Sequence, residues 1–497
     1  MRFWIAIGLI LVLSAIGLTY EIAAGRVLAP FFGTSLLTWT VVIATVLAGF
    51  SLGSALGGFV AERPRRTAIG TVRSALVATG VLMALSPAAL GLMESWGARG
   101  TGGMIASVIV AFFPASVCVS IPSPFLAKAA IEARPGREGS SLGVVLAAGS
   151  VGAILGAILA GFLALPLIGS AATFTACGAA ALLCLIFVRN LPLPDDKDPV
   201  APNAGSGPPT GIVVSAACFV GLAGIAGDPV CEYESGLSCL RVVEDGDTVY
   251  LYSDGIAQAA EPIAGTDGGT GTAPELALPY TRRIWARMNR DLDRAPTVLF
   301  IGGGGYSLPA SLLASRPAAR AVAVEIDPLV TEVVQENLPR AAAAIERTGY
   351  VASGASSDTE GRLGIVHADG RVYLNRTSRR FDAAVVDAFS SNSVPAHLVT
   401  RETFERLREI VDGPVYVNLI DRPDGSLVRG VHAVLESLYP HVEVEQGEVG
   451  PNGLTNILIA ASREALVEPG GGPDDYEPAR ISPARAFTDD RGWVGLR

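Results

Sequence analysis

Four acidic residues in the C-terminal half of the sequence each end or closely follow a short apolar, strand-like run; they are Glu325, Asp369, Asp387 and Asp421. The carboxyl ends of parallel strands meet at one edge of a sheet, and ligands bind there, so we expect these carboxylates to share a rim. A carboxylate on such a rim can accept a proton from a reacting group. One strand-end Asp more often caps a helix or forms a turn, but four on one edge favour an active site.

A glycine-rich turn lies beside this predicted rim. Residues 297–301 (TVLFI) predict a strand, residues 302–305 (GGGG) a turn and residues 307–315 a helix, before a second strand at 321–326. Glycines at such a turn let a ligand approach the backbone at a helix N-terminus. Glu325, about 20 positions on, stands where a ribose hydroxyl would be held. The pattern predicts an α/β, Rossmann-like core that binds an adenosine-type ligand.

The absence of certain residue types excludes several classes of binding and catalytic chemistry. The only lysines are Lys128 and Lys197, so the predicted core lacks the lysine that a Walker-type phosphate loop or a pyridoxal Schiff base requires. A net charge of −10 argues against a nucleic-acid partner and is compatible with a cationic small substrate. The histidines show no metal-ligand spacing and no Cys-x-x-Cys motif occurs, so no metal is predicted.

A long apolar region precedes the strands and helices that carry this predicted rim. The whole chain is 50% hydrophobic and only 17% charged, whereas soluble proteins average about 25% charged residues. Six segments have the roughly 20 apolar residues that span a bilayer; they are 3–24, 36–61, 68–93, 101–131, 141–168 and 170–188. We therefore expect residues 1–190 to form a multi-pass α-helical domain in a lipid bilayer.

The remaining boundaries follow from shifts in composition. A stretch rich in Pro, Gly and Asp predicts a flexible linker at residues 191–210, and the short apolar run 211–227 is a marginal seventh membrane segment. The soluble domain is expected over residues 228–468. Within this domain we expect a small β region at residues 228–265 and the Rossmann-like core at residues 295–468. After it we expect a mobile tail at residues 469–497.

Several segments resemble the membrane-fused relatives of spermidine synthase, described as fused major-facilitator/spermidine-synthase proteins. The similar stretches are 20–58, GGGGYSLP (302–309), AVEIDPLVT (323–331), ADGRVYL (368–374), DAFSSNSVPAHLVTRETF (387–404) and YVNLID (416–421). The resemblance covers nearly the whole chain. It implies a polyamine aminopropyltransferase, which moves an aminopropyl group from decarboxylated S-adenosylmethionine to an amine acceptor such as putrescine.

The same resemblance implies roles for individual residues. The residues expected to bind the nucleoside co-substrate are Gly302, Gly303, Gly304, Glu325, Asp369, Gly370 and Gln258. Asp387 is the expected catalytic residue, which helps to deprotonate and orient the attacking amine, and Tyr280 is expected to bind substrate. Soluble relatives are oligomeric, so the resemblance also makes a homodimer plausible.

Two positions depart from the resembled family and keep alternatives open. Gly305 stands where soluble spermidine synthases have an Asp in the glycine loop, and residues 389–392 (FSSN) lack a second Asp. Both missing carboxylates would bind ammonium groups. One alternative is therefore a methyltransferase that uses ordinary S-adenosylmethionine. The other is a non-catalytic domain that senses nucleosides or polyamines, attached to a half-transporter-like bundle.

The side of the membrane on which the soluble domain lies has arguments in both directions. Basic residues cluster in two loops on one face, near 63–66 and 128–137, which predicts that this face is cytoplasmic. Six spans return the chain to that face, and S-adenosyl nucleosides are made in the cytosol, so a cytoplasmic domain is slightly favoured. Against this, a disulfide between the nearby Cys231 and Cys239, with a spanning segment at 211–227, would place the domain outside.

Overall fold

The computed structural model describes residues 2–32, 36–98, 100–189, 207–226, 231–235, 237–263, 276–351, 361–388, 395–466 and 476–490. The chain divides into two compact units, residues 1–236 and 237–497. Most of the expected linker, and the departure at residues 389–392, lie outside the described residues.

The first unit is helical. Its helices are Arg2–Val27 (α1), Ala29–Phe32 (α2), Leu36–Glu62 (α3), Arg65–Ser95 (α4), Gly100–Ser120 (α5), Pro122–Glu132 (α6), Glu138–Leu159 (α7), Leu165–Arg189 (α8) and Thr210–Ala226 (α9). A π-helical turn, Ala160–Ala164, joins α7 to α8, and a short strand, Tyr233–Glu234 (β1), follows α9.

Five helical stretches of this unit are long and apolar enough to cross a membrane. One of them, Glu138–Val188, contains 51 residues, which at 1.5 Å per residue is about 75 Å, more than twice a bilayer core. Gly169 interrupts it with a φ of 74° and a ψ of 174°. This stretch therefore consists of two segments, broken at the residue between the predicted spans 141–168 and 170–188.

Small residues bring these helices into close contact. A Cβ on Gly49 of α3 would lie 2.6 Å from the Ser116 Cβ of α5, and Gly57 and Gly53 pack on the same neighbouring backbone. Gly152 and Gly156 of α7 pack in the same way on α1. Such spacing lets helix backbones approach closely in a membrane, so these glycines are packing positions.

Helix α9 packs beside α4 and α8. A Cβ on Gly207, before its start, would lie 3.1 Å from Arg73 Nη1 of α4, and a Cβ on Gly224, near its end, would lie 3.4 Å from Thr175 Oγ1 of α8. Beyond α9, the Glu234 carboxylate accepts hydrogen bonds from Ser170 N (2.8 Å) and Oγ (3.1 Å).

The second unit begins with a small antiparallel sheet of the strands Cys239–Asp245 (β2), Thr248–Ser253 (β3) and Ile256–Pro262 (β4). Asp254 and Gly255 join β3 to β4 with φ values of 48° and 85°. A two-residue loop with positive φ at both positions is the tight turn that matches strand twist. Among the described cysteines, Cys118, Cys177, Cys184 and Cys218 are free.

A larger sheet forms the core of this unit. Its strands are Thr297–Ile301 (β5), Arg320–Glu325 (β6), Gly349–Val351 (β7), Leu363–His367 (β8), Ala383–Val386 (β9), Val415–Asp421 (β10), His441–Gln446 (β11), Thr455–Ser462 (β12) and Glu477–Pro478 (β13). They are ordered β13-β11-β12-β10-β9-β5-β6-β8-β7. The neighbouring pairs from β10 to β7 are parallel, and β12, β11 and β13 add antiparallel pairs at one edge.

Helices connect these strands and complete the core. They are Pro279–Asp291 (α10), Ser307–Ser315 (α11), Pro328–Asn337 (α12), Pro339–Thr348 (α13), Gly370–Arg376 (α14), Arg401–Ile410 (α15) and Ser426–Leu438 (α16). The strands β5 and β9, which are buried except for Thr297, lie side by side where the strand order reverses, which is the position of ligand sites in open α/β sheets. The predicted Rossmann-like fold with a small preceding β region is confirmed.

The described part of the C-terminal segment, residues 476–490, packs along the sheet and its helices. Ala479 N donates to Val444 O (2.8 Å), extending the β11–β13 pairing. Phe487 is 7% exposed and its ring lies against Gly430 of α16. Further on, Asp489 accepts hydrogen bonds from Arg371 Nη2 (3.0 Å) and Thr400 Oγ1 (2.7 Å). This part of the expected mobile tail therefore has defined contacts with three elements of the core.

Candidate functional site

The glycine turn after β5 is held by the acidic residue that ends β6. Gly303 N and Gly304 N donate to Glu325 Oε2 at 2.9 and 3.3 Å, and Asp327 N donates to Oε1 at 3.0 Å. Burial raises the pKa of Glu325, and these three backbone donors oppose that rise. Glu325 therefore shapes the loop as well as facing the space in front of it.

Gly302 has the conformation and the contacts that exclude any side chain. Its φ is +101°, and a Cβ there would overlap the carbonyl oxygen of Asp387. Gly302 N donates to Val324 O (2.9 Å), and Asp387 N donates to Ile301 O (2.8 Å). The glycine turn and the end of β9 are therefore in direct backbone contact.

A cavity of about 330 Å³ opens in front of this turn, and we call it the glycine-loop cavity. The residues predicted from sequence that line it are Gln258, Gly302, Gly304, Glu325, Asp369, Gly370 and Asp387. Gly303 lines a small adjoining recess with Tyr280. The structure therefore brings all nine predicted site residues together around one region of the sheet edge.

Asp369 has two structural partners at this cavity. It caps α14 by accepting a hydrogen bond from Val372 N (3.0 Å), and its other oxygen lies 2.8 Å from His397 Nε2. Burial alone would raise the pKa of Asp369, but the Val372 N–H and His397 outweigh it and lower the pKa. The next residue, Gly370, is packed so closely that a Cβ would lie 2.6 Å from Ile301 Cγ2.

Asp387 is held by two hydrogen-bond donors. Asn418 Nδ2 donates to Asp387 Oδ1 (2.9 Å), and Asn456 Nδ2 donates to Asn418 Oδ1 (3.1 Å), which fixes the orientation of the Asn418 amide. The Tyr280 hydroxyl also hydrogen bonds to Asp387 and lies 3.2 Å from Gln258 O. Burial raises the pKa of Asp387, although Asn418 and Tyr280 pull it down.

A second cavity, of about 290 Å³, lies on the other side of Asp387, and we call it the tyrosine cavity because Tyr280 and Tyr476 line it. Asn418 and Glu448 also line it. Gln258 and Asp387 line both cavities. Asp387 therefore stands where a ligand in one cavity would meet a ligand in the other.

The expectation that Asp421 shares this rim is wrong. Its carboxylate accepts hydrogen bonds from Leu427 N and Val428 N, both at 3.0 Å, and from Arg422 N (2.8 Å), so it caps α16. Asp421 lines neither cavity. A carboxylate shortly before a helix can accept hydrogen bonds from the unpaired N–H groups of the first turn. These hydrogen bonds orient the Asp421 side chain toward α16.

Four residues of the site were missed from sequence: His397, Asn418, Glu448 and Tyr476. Asn418 interrupts the apolar run of β10, and this buried amide was the available signal. Glu448 and Tyr476 reach the tyrosine cavity through the antiparallel edge of the sheet, a long-range arrangement without a local pattern. Among the described residues, no group of three or more His, Cys, Asp or Glu side chains is arranged to hold a metal ion.

The fold and the site together define a Rossmann-like α/β domain with two carboxylate-lined cavities that meet at Asp387. Residues 280–418 match the family model described as the spermine/spermidine synthase domain. A polyamine aminopropyltransferase of Vibrio vulnificus is 29% identical over 139 residues, and one of Korarchaeum cryptofilum is 28% identical over 127 residues. These matches support a spermidine synthase-like domain in the C-terminal half of the chain.

The matches cover limited parts of each protein. They span 27% and 25% of this chain and 40% and 36% of the two relatives, so the chain spans about two fifths of the curated relatives that it matches. A probable spermidine synthase from Corynebacterium glutamicum superposes with a TM-score of 0.42 and 18% identity, over 53% of this chain and 97% of that one.

Proposed function

We propose that the C-terminal unit is a transferase that moves an aminopropyl group from decarboxylated S-adenosylmethionine to an amine acceptor. The observation that carries this proposal is the charge of the two cavities. Both contain acidic residues, and no Lys or Arg is among the described residues that line them. Such walls favour cationic ligands. The relatives named above, which are called polyamine aminopropyltransferases, support the same reading.

The charge pattern of the glycine-loop cavity favours the decarboxylated donor over ordinary S-adenosylmethionine. Its acidic lining residues are Asp254, Glu325, Asp327, Asp369 and Asp387. Among the described lining residues the single basic one is His397, which is paired with Asp369. Decarboxylated S-adenosylmethionine carries a sulfonium and an ammonium group and no carboxylate. The α-carboxylate of ordinary S-adenosylmethionine would need a cationic partner, because burying an unpaired charge is costly.

The glycine at position 305 agrees with a donor amine held from other positions. A Cβ on Gly305 would overlap the Cβ of Ala259 in β4. No carboxylate fits there unless β4 moves. Gly305 also lies outside the lining of the glycine-loop cavity. The missing loop carboxylate is therefore compatible with aminopropyl transfer, since other carboxylates line the cavity.

The chemistry proposed for Asp387 is a proton-coupled displacement. The nitrogen of the acceptor amine attacks the donor carbon next to sulfur, and the C–S bond breaks with its electron pair going to the sulfonium. The neutral thioether nucleoside, methylthioadenosine, leaves, and the proton lost by nitrogen passes to Asp387. A carboxylate whose pKa is raised by burial is a better base for this purpose than an ordinary one, and the two cavities align the reactants.

Mass spectrometry of nucleoside products tests this function. Detergent-purified full-length chain is incubated with putrescine and either decarboxylated or ordinary S-adenosylmethionine. Methylthioadenosine above a control without acceptor, and only with the decarboxylated donor, is the expected result. S-adenosylhomocysteine from the ordinary donor would instead identify a methyltransferase. Bound nucleoside without either product would identify a sensing domain.

We propose further that the N-terminal unit anchors this transferase in a membrane through seven crossings. Five apolar stretches, one of them broken at Gly169, make six crossings, and we count α9 as the seventh because it is apolar and packs beside α4 and α8. Its 17 residues are at the lower limit for a spanning helix. An odd number of crossings favours a transferase on the face opposite the basic loops. A cytoplasmic location stays the competing prediction.

Labelling with a membrane-impermeant maleimide determines the side independently of activity. Glu244→Cys places a thiol on the exposed end of β2, and Arg137→Cys places one in the basic loop before α7; both native side chains are exposed. Seven crossings predict that the two variants react in opposite vesicle orientations, with the native chain as background. Reaction of both from the same face would require that α9 does not span.

A further inference from the structure

The charged groups of the tyrosine cavity are two carboxylates, Asp387 and Glu448, among the described residues that line it. Its apolar wall is formed by residues of β4, of β10 and of the start of α10; they are Ile256, Ile420, Leu278 and Pro279. At about 290 Å³, the cavity is at the small end of ligand sites, which run from about 300 to 1,000 Å³. An apolar cavity with two negative charges is complementary to a short dication with an apolar middle.

The two carboxylates differ in their surroundings. Asp387 is fixed by Asn418 and Tyr280 at the junction of both cavities, where the reacting amine must meet the donor carbon. Glu448 is exposed to solvent, so its carboxylate pays little desolvation penalty when it binds a cation. The junction position suits the attacking nitrogen, and the exposed position suits a cation that does not react.

The backbone beside Glu448 is held firmly. Gly447 N donates to Asn456 O (2.9 Å), and Thr455 Oγ1 donates to Gly447 O (2.8 Å). The ring of Tyr476 packs on the same glycine, where a Cβ would lie 3.2 Å from Tyr476 Cζ. The Glu448 side chain is therefore carried by an ordered turn at the cavity wall.

The same turn is tied to the helix that carries Tyr280. Glu445, at the end of β11, accepts hydrogen bonds from Arg283 Nε (2.8 Å) and Arg287 Nε (3.0 Å) of α10, and all three side chains are buried. Tyr280 lies in the first turn of α10. A buried charge network of this kind fixes α10 against β11, so both walls of the tyrosine cavity belong to one packed structure.

We propose that Glu448 binds the distal ammonium of an α,ω-diamine acceptor while Asp387 takes the reacting amine. This inference rests on the proposed aminopropyl transfer and adds to it a residue that determines acceptor specificity. Glu448 acts on binding and not on chemistry, so it selects diamines over monoamines of the same chain length. Tyr476, supplied by the C-terminal segment, keeps the turn beneath Glu448 in place.

A pair of acceptors with matched length tests this role. The steady-state rates of 1,4-diaminobutane and butylamine are compared for the native chain and Glu448→Gln. For the diamine we expect kcat/KM to fall about tenfold, mostly through KM, as for the loss of a charged hydrogen bond worth about 1.5 kcal/mol. For butylamine we expect a change of less than about twofold, because it has no second ammonium to lose.

Two further variants separate charge from structure. Glu448→Asp keeps the negative charge and should retain the preference for the diamine. Glu244→Gln removes an exposed carboxylate of the same unit that lines neither cavity, and should leave both acceptors unaffected. An equal loss for both amines in Glu448→Gln, or no loss for either, would overturn the assignment.

A binding measurement keeps this inference distinct from the function on which it rests. Calorimetric affinities of 1,4-diaminobutane and butylamine are measured for the native chain and for Glu448→Gln without any donor. A diamine preference that disappears in the variant supports the role of Glu448 in binding the second ammonium. If no acceptor is turned over in the same preparation, only the proposed aminopropyl transfer is contradicted. Equal affinities for both amines in the native chain would contradict the role of Glu448.

Discussion

Asp387→Asn should lower turnover by about 10²–10⁴-fold, the contribution usual for a positioned general base, with little change in nucleoside affinity. Asn has the same shape, and its oxygen can still accept the Asn418 hydrogen bond (2.9 Å in the native chain), so the geometry of both cavities is preserved. The variant cannot accept the proton of the amine. Single-turnover rates measure the chemical step, and methylthioadenosine affinity measures the binding. A loss of affinity equal to the loss of rate would assign Asp387 to structure and not to catalysis.

The pH dependence of the same reaction identifies the base. Burial raises the pKa of Asp387, so the acid limb of kcat/KM should lie above the ordinary Asp value of about 3.9. Activity should fall as the pH drops through that raised pKa, because a protonated carboxyl accepts no further proton. Asn418→Ala removes a hydrogen bond that lowers the pKa, so its acid limb should shift to higher pH. An acid limb that is unchanged in Asp387→Asn would point to another base.

Local patterns were sufficient to predict the residues around the glycine-loop cavity. The glycine turn, Glu325 and Asp369 are each adjacent to a strand or a helix that short-range periodicity identifies, and chain connectivity brings them to one edge. Asp421 shows the limit of this reasoning. A strand-end carboxylate ahead of a helix can face a ligand or cap the helix, and the two outcomes have the same local sequence. Its orientation is decided by the first turn of α16, through Leu427 N and Val428 N.

The residues of the tyrosine cavity could not be predicted in the same way. Tyr476 reaches the tyrosine cavity because β13 pairs with β11, with Glu477 opposite Gln446. Glu448 lies in the turn between β11 and β12. Strand β12 pairs with β10 as well as with β11, and this places the turn beside Asn418 at the tyrosine cavity. The β10–β12 and β11–β13 pairings join strands that are not consecutive in the chain, and the strands β11 and β13 are short. Hydrophobic alternation in one strand does not specify its partner.

The helical half shows a similar division between local and long-range information. Hydropathy alone located the apolar segments and left residues 211–227 undecided, because a 17-residue helix is at the boundary between a buried and a spanning helix. Packing supplies the missing information. Gly207 lies close to Arg73 and Gly224 lies close to Thr175, so α9 packs beside α4 and α8. Neither contact has a signature in the local sequence.

Gly302→Ala should abolish nucleoside binding and destabilise the C-terminal unit by about 2–4 kcal/mol, the range for substitutions that strain a special backbone position. The added Cβ would overlap the Asp387 carbonyl oxygen in a backbone with φ of +101°, so either the glycine turn or the end of β9 must move. Both elements contribute to the glycine-loop cavity, and the displacement also moves the proposed base. Binding of methylthioadenosine by calorimetry and the midpoint of thermal unfolding measure the two effects.

Gly304→Ala is the matched control for this prediction. Gly304 also has a positive φ, +49°, but a Cβ there would lie no closer than 3.8 Å to its nearest neighbour, Gln258 O. The left-handed conformation alone costs an alanine about 1–2 kcal/mol, so Gly304→Ala should fold and bind nucleoside with a modest loss. A large difference between the two variants isolates the contact between Gly302 and Asp387 from the general cost of removing a glycine. Equal effects would mean that backbone conformation, and not the contact with Asp387, makes glycine necessary at position 302.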